Sequence, residues 1–498
     1  MPVLTQQRAS LEGLEIEIFK LVALHATPEQ WAEWLRVPLE HAAARGSLGL
    51  FSKLLGAGAN ANAGWRGCQG RTLLDAAAVG GNVGVASALL LAGAQPDVNV
   101  VASSSVSALY KAAMLGHEAV ARRLVVAGAD VNFQNGPTST VLYEATRGGH
   151  DQLVTELLIA GADPNWRNEN YASALHVAAD IGYNGIVSTL LLKGADKDAV
   201  DLRGETPLSR ASQHGNLSVV ETLLTASAGM NIRDENDFSA LEHAAKDGYT
   251  DILRAMVRHG VDVSAHDDNG FAALHSAAQF GRLGAIDALI EAGADADPQT
   301  NDGITPLGLA TYSSCYKAVL ALLQNGAKAG VKASSGNTPL HMACLERVAG
   351  VDKVVDLLLR WGADETALNN DGMSPEEMLD VEEDRPSTQD EIERTRLLLG
   401  HAPADRAWRR RCWLVMLRSR AEKARIANSC NSSAGPNSVV DRQRGNCKEA
   451  RRDTGGEQSN GMDAHGGPAG GDTCLGDVVA LLMGLEMDGV FRTVVGFL

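Results

Sequence analysis

Aromatic residues make up only 4% of this 498-residue chain. That scarcity excludes a core built on large rings and leaves small and aliphatic side chains to do the packing. Cysteine is also sparse: the seven cysteines, from Cys68 to Cys474, are odd in number, widely spread and form no C-x-x-C pair. A disulfide framework or a structural zinc site is therefore not expected, and the pattern fits a reducing compartment. No run of ~18 residues is apolar and charge-free enough to span a bilayer; the most apolar stretch, 474–498, contains Asp477, Glu486, Asp488 and Arg492. The start, MPVLTQQRASLEGLEIEIFK, has glutamates where a signal peptide is apolar. A cytoplasmic protein is expected, with a nuclear location as the alternative. Net charge is −17, which repels phosphates and disfavours nucleic acid as a partner. The charge is uneven. Residues 403–452 hold 13 Lys/Arg against 4 Asp/Glu, a net of +9, so the other 448 residues carry −26.

What the chain has in abundance is repetition. In register on one leucine, Leu39, Leu74, Leu109, Leu142, Leu175, Leu208, Leu241, Leu274, Leu307 and Leu340 define ten units; the steps are 35, 35 and then 33 seven times. Nineteen residues later comes a glycine in most units, from Gly58 to Gly326; Ser227 breaks the run and Gly362 is displaced by three. Two residues before the leucine a hydroxyl side chain recurs, among them Thr72, Ser107, Thr140, Ser173, Thr206, Ser239, Thr305 and Thr338. Ser and Thr in that place accept from orphan amides of a first helical turn. Proline follows at Pro38, Pro207, Pro306 and Pro339, as suits the first helical position. Then come a pair of alanines for close helix approach, a glycine (Gly149, Gly182, Gly215, Gly248, Gly281) suited to a left-handed helix end, a second helix with a Leu pair, and a GAD turn. One such unit cannot bury its own apolar stripe, but a stack can.

With GETPLSRASQHGNLSVVETLL (204–224), GNTPLHMAC (336–344) and VVAGADVNF (125–133) in hand, the chain resembles the ankyrin repeat family over about 37–367. The resemblance implies an all-α fold: an α-solenoid of about ten to eleven helix-turn-helix units with β-hairpin-like loops. The expected organisation is an N-terminal helical cap over 1–36 and the array over 37–367. A divergent repeat plus a basic capping helix follows over 368–428, then a disordered linker over 429–473 and a short apolar element over 474–498. In the divergent unit an acidic insertion (382–390) delays the second helix.

His176 and Asp180, four residues apart on one helix, have the look of half a metal or general-base site. In register, however, the position of His176 also holds Asp75, Tyr110, Ser209, Glu242, His275 and His341. The family implies that this histidine hydrogen-bonds between neighbouring loops. No further ligands converge, so neither a metal nor a cofactor is expected. No phosphate loop, G-x-S-x-G, H-E-x-x-H or kinase signature occurs, and the expected class is not an enzyme.

The resemblance implies protein binding by loop tips and by the groove face of the first helices. Mapping by register gives Arg203, Phe238 and Phe271 at tips, and Asp180, Ile181, Gln213, His214, Lys246, Asp247, Gln279, Phe280 and Tyr312 on the groove. Aromatics cluster in units seven to nine, where exposed rings anchor interfaces unless they pack on neighbouring loops. The expected function is a monomeric scaffold or adaptor for protein partners. The alternatives are a regulatory or enzyme-associated subunit acting through its termini, and a calmodulin-responsive or nuclear adaptor acting through the basic helix 404–425.

Overall fold

The computed structural model describes residues 46–56, 72–95, 106–346, 350–380 and 389–402, together with Leu39, Ala42 and Ala61. The expected N-terminal cap, basic helix 404–425, linker and C-terminal element lie outside the described residues.

From unit two onward each unit is a pair of short helices. The first helices run over Leu73–Val79, Ala108–Met114, Val141–Arg147, Ala174–Ile181, Pro207–Gln213, Ala240–Asp247, Ala273–Gln279, Pro306–Tyr312 and Pro339–Glu346. The second helices run over Leu48–Gly56 in unit one, then Val83–Leu91, Glu118–Val126, Asp151–Ile159, Asn184–Leu192, Leu217–Thr225, Thr250–Arg258, Leu283–Glu291, Tyr316–Gln324 and Val351–Arg360. Helices of two turns are marginal in isolation, so packing must supply their stability. First helices stack on first helices along the array, and second helices on second helices. The register leucines sit between the layers, none more than 3% exposed. The result is an all-α ankyrin-type solenoid.

The ends of the helices follow from the sequence. Hydroxyls of Thr72, Ser107, Thr140, Thr206, Ser239 and Thr305 each accept from the amide three residues on. Gly182 and Gly248 close their helices with φ of 94° and 82°, a region open to glycine at little cost. A second constraint acts at the same glycines. The residue that follows the equivalent glycine in the next unit reaches back over this corner. Asn216 Nδ2 donates to the carbonyls of Ala179 (2.8 Å) and Asp180 (2.9 Å), and Arg282 Nε donates to Lys246 O (2.9 Å). A Cβ on Gly182 would lie 2.7 Å from Asn216 Oδ1, and one on Gly248 2.9 Å from Arg282 Cδ. The glycine thus ends its own helix and leaves room for the next unit to cap its orphan carbonyls.

The loops join in a ladder of their own. Asp201, Asp234 and Asp267 each use Oδ1 to accept from the amides two and four residues on, which folds the tip. Neighbouring tips then pair through backbone: Leu202 N to Asn170 O (2.8 Å), Glu235 N to Arg203 O (2.7 Å), Asn301 N to Asn269 O (2.8 Å) and Ser334 N to Asp302 O (2.8 Å). Among the described residues β1 (Gln134–Asn135) pairs antiparallel with β2 (Ser139–Thr140), and His266 bridges Ala272. Past unit ten, Ser374 and Glu377 form a capping box, but only a 3-10 turn follows, Glu377–Asp380. Residues 389–402 are helical again.

Candidate functional site

His176 is fully buried at the third position of its helix. Its Nδ1 accepts from the Ser173 amide (3.2 Å) and hydroxyl (2.9 Å), which leaves Nε2–H to donate to Glu205 O in the next loop, 3.1 Å away. His275 to Ile304 O and His341 to Met373 O repeat this bond at 3.1 Å. Burial, with the nearby Arg210 guanidinium second, lowers the His176 pKa to about 4; burial also lowers those of His275 and His341. All three are therefore neutral braces at neutral pH. Asp180 points elsewhere, with Oδ1 3.2 Å from His214 Nδ1 on the next unit. The two residues do not converge, and among the described residues no group of three or more His, Cys, Asp or Glu could hold a metal ion.

Other units fill the brace position with different chemistry. The Tyr110 hydroxyl bonds Ser139 and Glu144 of the next unit. Asp75 pairs with Lys111 at 2.9 Å. Glu242 caps Ser239 N and takes both ends of the Arg233 guanidinium, at 3.0–3.2 Å. Beside it, His243 Nε2 lies 2.8 Å from Asp234 Oδ2. Arg210 bridges Asp201 and Glu205.

The groove-side candidates occupy the last turns of the first helices, at two register positions per unit. Ile181, Phe280 and Tyr312 are 43–44% exposed there; Met114 and Leu115 hold the same positions in unit three and are also exposed. His214 and Gln279 are exposed, while Asp180, Gln213, Lys246 and Asp247 are half-buried. Of the tip candidates, Arg203 is exposed. Phe238 and Phe271 are half-buried, each packed on a histidine ring of its own unit: Phe238 on His243 at 5.5 Å and Phe271 on His275 at 5.3 Å between centroids.

Three of the candidates converge. Lys246 Nζ lies 5.4 Å from the centroid of Phe238, in its own loop, and 5.6 Å from that of Phe280, in the next unit. Both rings are thus within cation–π range of one ammonium. Arg282, which the sequence reading missed, completes the corner by capping Lys246 O. Its register position recurs in every unit and is the available signal. Also missed is a row on the second helices: Leu91, Val126, Ile159 and Leu192, all strongly exposed.

The ankyrin repeats family model, built on three repeat copies, matches residues 39–135, 142–236, 226–300 and 285–369, well over half of the sequence. The chain belongs to the ankyrin repeat family. No curated protein matches it. Among solved structures, the crystal structure of the human ASB11 ankyrin repeat domain is similar at 25% identity, covering 44% of this chain and 98% of that one, with a TM-score of 0.41. Ankyrin repeats generally mediate protein–protein interaction, and the geometry fits such a role: side chains presented in rows on a stack whose backbone groups are already paired. No helix among the described residues is long and apolar enough to cross a membrane.

Proposed function

We propose that this ankyrin chain is a non-enzymatic interaction scaffold that binds protein partners along the groove-side ends of its first helices and at its loop tips. The observation that carries the reading is the row of apolar and aromatic side chains, Ile181, Phe280 and Tyr312, each exposed at the groove-side end of a first helix. Interfaces concentrate their energy in such anchors. The surface is preformed, because the tips and helix ends are already tied to their neighbours, so little ordering entropy is lost on binding. The net charge of −17 opposes self-association, and the scaffold acts as a monomer.

The test is cross-linked capture with the full-length protein as bait, quantified by mass spectrometry. Phe280→Ala with Tyr312→Ala should lose most partners that the wild type retains, while Leu192→Glu on the second-helix face should keep them. Equal capture by the wild type and the groove variant would remove the groove from the function.

A further inference from the structure

We propose that the corner between units seven and eight is a receptor for a carboxylate side chain of an extended protein segment, with Lys246 as the receiving cation. The inference rests on the groove reading above and names the chemistry of what binds there.

The neighbouring cations are neutralised within the protein. Arg233 is held by Glu242 at 3.0 Å and Asp237 at 3.6 Å, and Arg210 by Asp201 and Glu205. Lys246 differs. Its ammonium sits against two phenyl faces, and among the described residues no carboxylate pairs with it. Arg282 likewise makes its bond to a carbonyl, Lys246 O, rather than to an acid. Asp247 is the acidic neighbour on this helix end and pairs with neither cation among the described residues, so Lys246, Arg282 and Asp247 together carry +1 on a chain of −17. An anionic partner group is the complement of that surface.

The rings make the site more than an exposed lysine. A lysine stem ordinarily loses much rotamer freedom on forming one ion pair. Here the Phe238 and Phe280 rings already hold the ammonium in place, so a carboxylate meets a preorganised charge with an apolar wall beside it. Tyr312 holds the register position of Lys246 two units further along the same face. Units repeat every ~8–10 Å, and an extended chain advances ~3.3 Å per residue. Two units span ~16–20 Å, so a segment with its carboxylate on Lys246 lays the side chain about five or six residues away on Tyr312. The expected ligand motif is Asp or Glu followed or preceded, about five or six residues away, by a large apolar residue.

Peptides of twelve random residues displayed on phage are selected on the full-length protein. An enriched sequence is then synthesised with a fluorophore and titrated by anisotropy. The expected result is enrichment of that acidic–apolar spacing. Affinity should fall at least tenfold in Lys246→Met, recover in part in Lys246→Arg, fall in Phe280→Ala and weaken with added salt, with thermal melts of the variants unchanged. Failure to enrich any motif overturns the inference, and so does a motif without a carboxylate or displacement by an oligothymidine probe in preference to the peptide. Loss in Phe280→Ala with none in Lys246→Met removes the carboxylate receptor and leaves the groove reading standing. Insensitivity to both substitutions removes both.

Discussion

Units two to five and units six to nine share one buried plan but differ on both exposed faces. Seventeen residues past the register leucine, the first group carries Leu91, Val126, Ile159 and Leu192, 68–89% exposed. The second group carries Thr225, Arg258, Glu291 and Gln324 at that position, with ion pairs that cross between units, Arg258–Glu221 at 3.2 Å and Arg254–Glu291 at 4.0 Å. On the groove side, the Phe238–Lys246–Phe280 corner and Tyr312 belong to the second group. The lesson is that the repeat constrains leucine, alanine, cap and glycine positions, and leaves the solvent-facing positions of each unit free to diverge. Fold and specificity are thus written at different register positions and are separable by substitution.

The largest expected effect tests the sameness of the buried plan. Leu175→Ala in the first group and Leu274→Ala in the second remove equivalent, nearly inaccessible side chains. Each should cost about 2–5 kcal/mol, read from urea unfolding midpoints. Similar losses in one shared transition fit an array coupled through nearest neighbours. A loss confined to one of two separate transitions would show that the two groups unfold independently.

Next in size is acid sensitivity. His176 braces the first group and His275 the second, both held neutral by burial. With a folded pKa of about 4 for His176 against about 6.5 for a free histidine, the unfolded chain binds a proton between those values that the folded chain does not. Stability therefore falls as pH drops from about 6.5 towards 4, by about 3 kcal/mol for this residue when the drop is complete. His176→Gln should flatten that slope in urea titrations at pH 7.5 and 5. An unchanged slope would mean that His176 takes up its proton without breaking the bond to Glu205 O.

Much of this was legible in the sequence because it is local. The cap hydroxyls, the prolines and the glycines act on residues three or four away, and the register made His176 a repeat-position residue, for which the ankyrin resemblance implied a bracing role. What was not legible depends on neighbours about 33 residues off. The glycine at the corner reads as a left-handed residue, but its second reason, the approach of Asn216 or Arg282 from the next unit, needs the stack. Phe238 and Phe271 read as tip residues that either anchor an interface or pack on neighbouring loops; the structure half-buries them on His243 and His275 of their own units. The convergence of Lys246 with rings from two units is visible only in three dimensions. The aliphatic row at the seventeenth position is present in the register, but its exposure depends on helix phase, which the Leu pair beside it obscures.

The smallest effect falls on that row. Leu192→Glu and Leu91→Lys replace side chains that contribute little to burial, so unfolding free energy should stay within about 0.5 kcal/mol of the wild type while solubility in ammonium sulfate rises. Arg258→Leu makes the converse change, extending the aliphatic row into the second group at the loss of one exposed ion pair with Glu221, a contribution of about 0–1 kcal/mol. Solubility should fall with little change in melting temperature. A loss above 1 kcal/mol in Leu192→Glu would mean that the row is packed in solution, and the contrast between the two groups would then be one of covered and uncovered faces rather than of free positions.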